Sequence, residues 1–214
     1  MINSLEPKMR KRAVTILSVL VAVGMLYGIG KLVRMGSHLP EVDRYAKWDK
    51  DIVESFLQLP LQHEGRIKPK TTVSFFELLG QRSKTDIKFE VDGDSTKVSH
   101  KAWILDVLFR PEVAKELPSF VVDDSDAVTA IGATAKGKRD YYSYTELFDG
   151  GNARRKLFEL ANKYREEEQA LQQKDDGSKL LPVKSQVVML ATRVNTFEYF
   201  TSVMMPANRG QVMN

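Results

Sequence analysis

There is no cysteine among the 214 residues. That absence excludes a disulfide framework, a CxxC redox pair, a Cys-ligated zinc or iron–sulfur cluster and a CxxCH haem attachment site on this chain. Histidine is scarce, with only His38, His63 and His100, and none of the three stands in an HExxH or HxH pattern. No carboxylate spacing around them fits a metal site, although a lone imidazole at His63 or His38 would suffice for one axial bond to haem iron. There is no G-x-S-x-G, and adjacent Ser99 and His100 do not aim an imidazole at a nucleophile. The run GATAKGK at 132–138 lacks phosphate-loop spacing and reads as an exposed loop. Residue types and spacing alone therefore show no enzyme.

Basic charge is missing from most of the chain, despite a net charge of +4. Residues 1–36 hold six basic side chains against Glu6 alone, a local +5, which leaves 37–214 at −1. A nearly neutral body has no excess of positive charge with which to track a phosphate backbone, so nucleic acid is excluded as the expected partner.

The basic N-terminus adjoins AVTILSVLVAVGMLYGIG, residues 13–30, which carries no charge. At about 1.5 Å per residue this run spans roughly 27 Å, the thickness of a bilayer core. It exceeds a signal-peptide h-region of about 7–15 residues and no A-x-A-like site follows it. The reading is an uncleaved transmembrane signal anchor over 13–34, with 1–12 as a cytoplasmic basic tail and 37–214 as an extracytoplasmic domain. The positive-inside rule sets that orientation, a single pass through a bacterial inner membrane with the body periplasmic. Gly24 and Gly28 form a GxxxG pair that would suit a helix dimer face.

Beyond Pro40 the pattern predicts a mainly α fold with a small β component (α+β), one N-terminal transmembrane helix preceding a helix-rich domain. Val42, Tyr45, Trp48, Ile52, Phe56 and Leu57 recur at helical spacing, which predicts a helix over 41–58 ended by Pro60. The segment 59–71 reads as extended or turn, and 71–82 as a helix that Gly80 ends or interrupts. DIKFEV at 86–91 alternates as a strand does, Asp92-Gly93 supplies a turn, and 96–99 closes a hairpin. Ser99 caps a helix over 100–109, Pro111 opens a short one, FVVD at 120–123 is a brief strand, and Asp124 or Ser125 caps a helix ending at Gly132. Two long helices, about 153–173 and 182–204, close the chain as an antiparallel pair.

One segment stands out chemically. In Gly65-Arg66-Ile67-Lys68-Pro69 the glycine permits a turn and the proline fixes the exit. Arg66 and Lys68 are thereby held in a defined presentation, suited to a partner carboxylate or a haem propionate, or to acids of the same domain.

The run LPLQHEGRIKPKT (59–71), with Trp103, LDVLFRPE (105–112), FVVDD (120–124) and YYSYTEL (141–147), resembles the N-terminal extracytoplasmic region of CcsA-type (ResC-type) system II cytochrome c biogenesis proteins. The resemblance spans about 59–200. It implies a membrane-anchored accessory module assisting haem delivery and attachment to apocytochrome c. Its partners would be the multi-span haem-handling subunit and the apocytochrome, with haem reaching it only through a partner. Two departures stand out. Lys70 replaces an Asp usual in that family. The family's haem-handling core, a multi-helix membrane domain with a WWD segment and histidine ligands, has no counterpart, since only Trp48 and Trp103 occur. No haem-ligating residue carries over, and the chain resembles that N-terminal part alone, as a split subunit or truncated piece. A bitopic scaffold subunit of a membrane respiratory complex is the alternative reading.

Overall fold

A computed structural model describes residues 39–63, 65–149, 151–173 and 179–203. The chain divides into two units, Met1–Leu39 and Pro40–Asn214, and the second holds all the described helices and strands. Its first hairpin by sequence signal is β3 (Asp86–Val91) with β4 (Asp94–Ser99), paired antiparallel from Asp86↔Ser99 to Val91↔Asp94. Ile87 and Phe89 point to the core and are fully buried. Asp92 and Gly93 both take positive φ, 52° and 82°, the combination that joins two twisted strands in two residues.

The chain over 41–49 is not the start of a helix. Glu41 bridges in parallel to Glu90, with Val42 N donating to Glu90 O and Glu90 N to Pro40 O, both at 2.9 Å. The helix α1 (Lys50–Leu57) begins only after Asp49, whose carboxylate caps Asp51 N. The physical reason is tertiary. Tyr45 Oη and Trp48 Nε1 donate to the two oxygens of Asp106 at 2.9 and 2.7 Å, which holds 45–48 extended across the body.

After α1 come β1 (Pro60–His63), β2 (Arg66–Pro69) and α2 (Lys70–Arg82). Gly80 does not end α2; Ser83, left-handed at φ 58°, does so, with its N–H returning to Leu79 O. α3 (His100–Phe109) is the central element. Ser99 caps it, and every residue from Trp103 to Leu108 is buried, so it is apolar nearly all round. Pro111 opens α4 (Pro111–Glu116), β5 (Phe120–Val122) is wholly buried, and Asp124 caps α5 (Ser125–Ile131). β5 pairs with β6 (Asp140–Tyr142), a strand the sequence pattern does not announce. Among the described residues the strands form three sheets, each of two antiparallel strands.

Ser143 and Glu146 form a reciprocal capping box on α6 (Tyr144–Phe148). Then α7 (Ala153–Gln173) and α8 (Pro182–Val203) run antiparallel. Their facing pairs move in opposite directions along the two helices: Arg154–Glu198 at 2.6 Å and Glu167–Lys184 at 2.5 Å. Burial works against the Glu198 charge, but hydrogen bonds from Arg154 and Tyr144 outweigh it and hold the carboxyl below its usual range. Val187, Leu190, Ala191, Val194 and Phe197 of α8 face the core, where the Phe197 ring meets Phe120 edge to face at 5.4 Å.

This α+β body agrees with the periodicity, but the expected fold class joined it to a transmembrane helix, and that class is corrected here. Among the described residues no helix is long and apolar enough to cross a membrane. α8 has the length, 22 residues, yet Lys184, Arg193 and Glu198 interrupt it and its apolar side packs on the domain's own core. The 13–34 run itself lies outside the described residues.

Two buried ions pin the body. Arg82 donates through Nε to Asp86 O at 3.0 Å and through Nη1 to Pro118 O, with its guanidinium 3.9 Å from the Tyr141 ring centroid. Burial lowers its pKa to about 10, which still leaves it charged at neutral pH. Asp106, fully buried, accepts from Tyr45, Trp48 and Arg110. Burial raises its pKa against the opposing pull of those donors.

Candidate functional site

The GRIKP segment folds as the returning half of a hairpin. β1 and β2 pair antiparallel, with Pro60↔Pro69, Leu61↔Lys68, Gln62↔Ile67 and His63↔Arg66 as partners. Gly65 takes φ +72°, and a Cβ built there meets nothing within 4 Å, so the turn asks for glycine on conformational grounds rather than for space. Pro69 ends β2 and α2 starts at Lys70 with no intervening loop. The Lys70 ammonium sits 3.8 Å from the Phe56 ring centroid, and its burial lowers its pKa. That contact and the packing of α2 on both strands fix the base of the hairpin.

The alternation of β2 puts Arg66 and Lys68 on one face and Ile67 on the other, and the two bases differ in setting. Arg66 is exposed, while Lys68 is half-buried and already carries an interaction of its own. Between them Ile67 is 78% exposed, the most exposed large apolar side chain among the described residues. The side chains offered to solvent are therefore Arg66 and Ile67, one from each face of β2, rather than the two bases. Pro69 is exposed as well. His63 stands opposite Arg66 in the ladder. His38 lies outside the described residues. Sequence reasoning missed Ile67; its one signal was an isoleucine standing between two bases in a strand too short to have two covered faces.

Most of the other residues that carry the family resemblance make contacts inside the fold, although Phe109 stays 53% exposed. Trp103 is fully buried and donates to Ser119 Oγ at 3.1 Å. Arg110 stacks 4.0 Å from the Trp48 ring centroid and donates to Ala46 O at 2.8 Å. Phe109 meets Phe56 edge to face at 5.3 Å. Tyr142 is buried and its hydroxyl accepts from Lys136 N at 2.9 Å. The Tyr144 hydroxyl donates to Glu198 at 2.7 Å, and burial, followed by that bond to a carboxylate, lifts its pKa to about 12.

One serine–histidine pair exists that the sequence did not suggest. Ser74 Oγ lies 2.9 Å from His100 Nδ1, but it also donates to Thr71 O at 3.0 Å. The hydroxyl hydrogen is thereby committed to a backbone carbonyl, and Nδ1–H of His100 is left to donate to Ser74 rather than to act as its base. Ser74 is fully buried, and burial followed by the Lys101 charge lowers the His100 pKa. This is a structural joint between α2 and α3. Among the described residues no group of three or more His, Asp or Glu side chains converges as a metal site would require.

The site is thus an exposed basic–apolar hairpin tip on a fixed base, able to pair a carboxylate and bury one aliphatic chain. No family model, no curated protein and no solved structure matches the chain.

Proposed function

We propose that this chain is an accessory docking module of system II cytochrome c biogenesis, working on the outer side of the cytoplasmic membrane. It positions the multi-span haem-handling subunit and apocytochrome c and carries out no bond chemistry itself. The reading rests on the resemblance of 59–71 and the three later motifs to that family's extracytoplasmic region. One observation carries it to a residue level. Trp103, Arg110, Tyr142 and Tyr144 are spent on internal contacts, whereas the Arg66 and Ile67 side chains, on a paired strand, face solvent.

Arg66 supplies a planar donor pair for a partner carboxylate or a haem propionate. Ile67 supplies a side chain whose full burial is worth roughly 1.5–3 kcal/mol. Arg66 and Ile67 leave opposite faces of β2, so a partner that uses both closes around the strand, and arginine is among the residues on which binding energy concentrates. The double variant Arg66→Ala with Ile67→Ser is expected to weaken capture of the haem-handling subunit about tenfold or more. Its unfolding midpoint should stay with that of the natural chain, because exposed substitutions shift stability within about 0.5 kcal/mol. Quantitative co-purification with differential scanning calorimetry reads both. Unchanged capture by a folded variant removes the hairpin tip from the interface.

A further inference from the structure

The two edges of the β3–β4 sheet differ. The β3 edge is covered, because residues 40–42 lie along it, with Val42 N donating to Glu90 O and Glu90 N to Pro40 O. The β4 edge pairs with no strand among the described residues, and no main-chain group there donates to it or accepts from it. A bare strand edge is a template for another extended chain, and natural sheets usually cover or blunt it.

A groove of about 340 Å³ follows that edge, and Lys97, Val98 and Ser99 all line it. Successive strand residues point to opposite faces, so three in a row mark the edge rather than one face. The facing wall is the segment that leads into α1 together with the start of that helix, and Trp48 and Ala102, both half-buried, give the groove an apolar floor. Its charge is one-sided. Lys47, Lys50, Lys97 and Lys101 line it against Glu54 alone. Glu54 is held by Lys101 at 3.0 Å, and Lys97 reaches Asp86 of β3 at 2.7 Å. Lys47 and Lys50 are exposed and pair with no acid among the described residues. The acids closest to them in sequence, Asp49 and Asp51, stand outside the lining, and Asp49 is occupied as the cap of α1.

We infer that the β4 edge and its groove bind an acidic, extended segment of a partner protein, which adds to the sheet as a further strand beside β4. Main-chain pairing along a free edge supplies affinity, and side chains on alternate positions supply selectivity. Here carboxylates on one set of positions meet Lys47 and Lys50, and apolar side chains on the other set rest on Trp48 and Ala102. The lysines also turn away the occupant that a bare edge most readily attracts. A second copy of this chain pairing by β4 would bring its own Lys97 against them, and like charges set opposite each other are unfavourable. An anionic lipid surface would satisfy the lysines but has no main chain to pair with the edge. The groove shares no residue with the hairpin tip at 66–67, so the inference stands apart from the haem-attachment reading.

The test titrates the full chain with a dye-labelled peptide of alternating glutamate and valine, six residues long to match β4. Fluorescence anisotropy is expected to show binding that is lost when lysine replaces glutamate. Methylation of alternate main-chain nitrogens separates edge pairing from charge alone, because an added strand turns only every second N–H toward its neighbour. One methylated set is expected to lose at least tenfold in affinity, and the other to stay within about twofold of the unmethylated peptide. Lys47→Ala with Lys50→Ala is expected to weaken the unmethylated peptide about tenfold at low ionic strength. The unfolding midpoint of that variant should not move, since both side chains are exposed and unpaired. No binding of the glutamate peptide, equal affinity for the two methylated sets, or full affinity in the double variant overturns the proposal. So does a dependence on Lys47 and Lys50 seen only with phosphatidylglycerol vesicles, which would assign the lysines to a lipid surface.

Discussion

Trp103→Ala is expected to lower the free energy of unfolding by roughly 3–5 kcal/mol. Trp103 is the largest of the fully buried side chains, and it sits on α3, which is buried at every position from Trp103 to Leu108. Its truncation leaves a cavity that the surrounding helices cannot fully collapse into. It also strips Ser119 Oγ of the indole donor at 3.1 Å in a position with no exposure. Natural domains are stable by about 5–15 kcal/mol, so the change would take a large part of the whole. Urea unfolding followed by circular dichroism measures it, and Trp48, the only other tryptophan, then reports separately on the 41–49 segment. A loss under about 1 kcal/mol would mean that the centre of the core is elsewhere.

Asp106→Ala is the second large effect, again about 3–5 kcal/mol, for a different reason. The carboxylate collects Tyr45 Oη, Trp48 Nε1 and the Arg110 guanidinium in a fully buried position. Removing it leaves two neutral donors and a cation without their acceptor. Arg110 Nε already lacks a partner among the described residues. The segment 45–48 should then detach, so Trp48 emission is expected to move toward that of a solvated indole before the main unfolding transition. Asp106→Asn keeps the shape but loses the charge that Arg110 needs, and falls between Ala and the natural residue. Coincident loss of the Trp48 signal and the global transition, at an unchanged midpoint, would show that Asp106 holds nothing in place.

The same two residues show where sequence reasoning reaches and where it stops. Signals acting within a few positions were legible: alternation in 86–91, the Asp92-Gly93 turn, the Ser99 and Asp124 caps, Pro111 at a helix start and the last two helices. The helix expected over 41–58 failed in its first half. The deciding partner of Tyr45 and Trp48 is Asp106, 61 and 58 positions away, and spacing by three suits an anchored extended segment as well as a helix. β6 was missed for a similar reason, since its only strand partner, β5, lies across a helix and a loop.

The candidate site divides in the same way. Gly65 and Pro69 announce a turn and an exit, and that local geometry is what the hairpin has. Exposure is not local, however. Whether Ile67 or Lys68 is turned outward depends on α2 lying beneath the hairpin, so the basic pair read from the sequence becomes a basic–apolar pair in the fold.

Covalent haem on c-type cytochromes, measured by haem staining and difference spectra in cells lacking this chain, reaches the proposed role most directly. The docking-module account predicts that apocytochrome accumulates without haem and that supplying the natural chain restores attachment. Full haem attachment in the deletion strain, with the multi-span subunit present at its normal level, would contradict it.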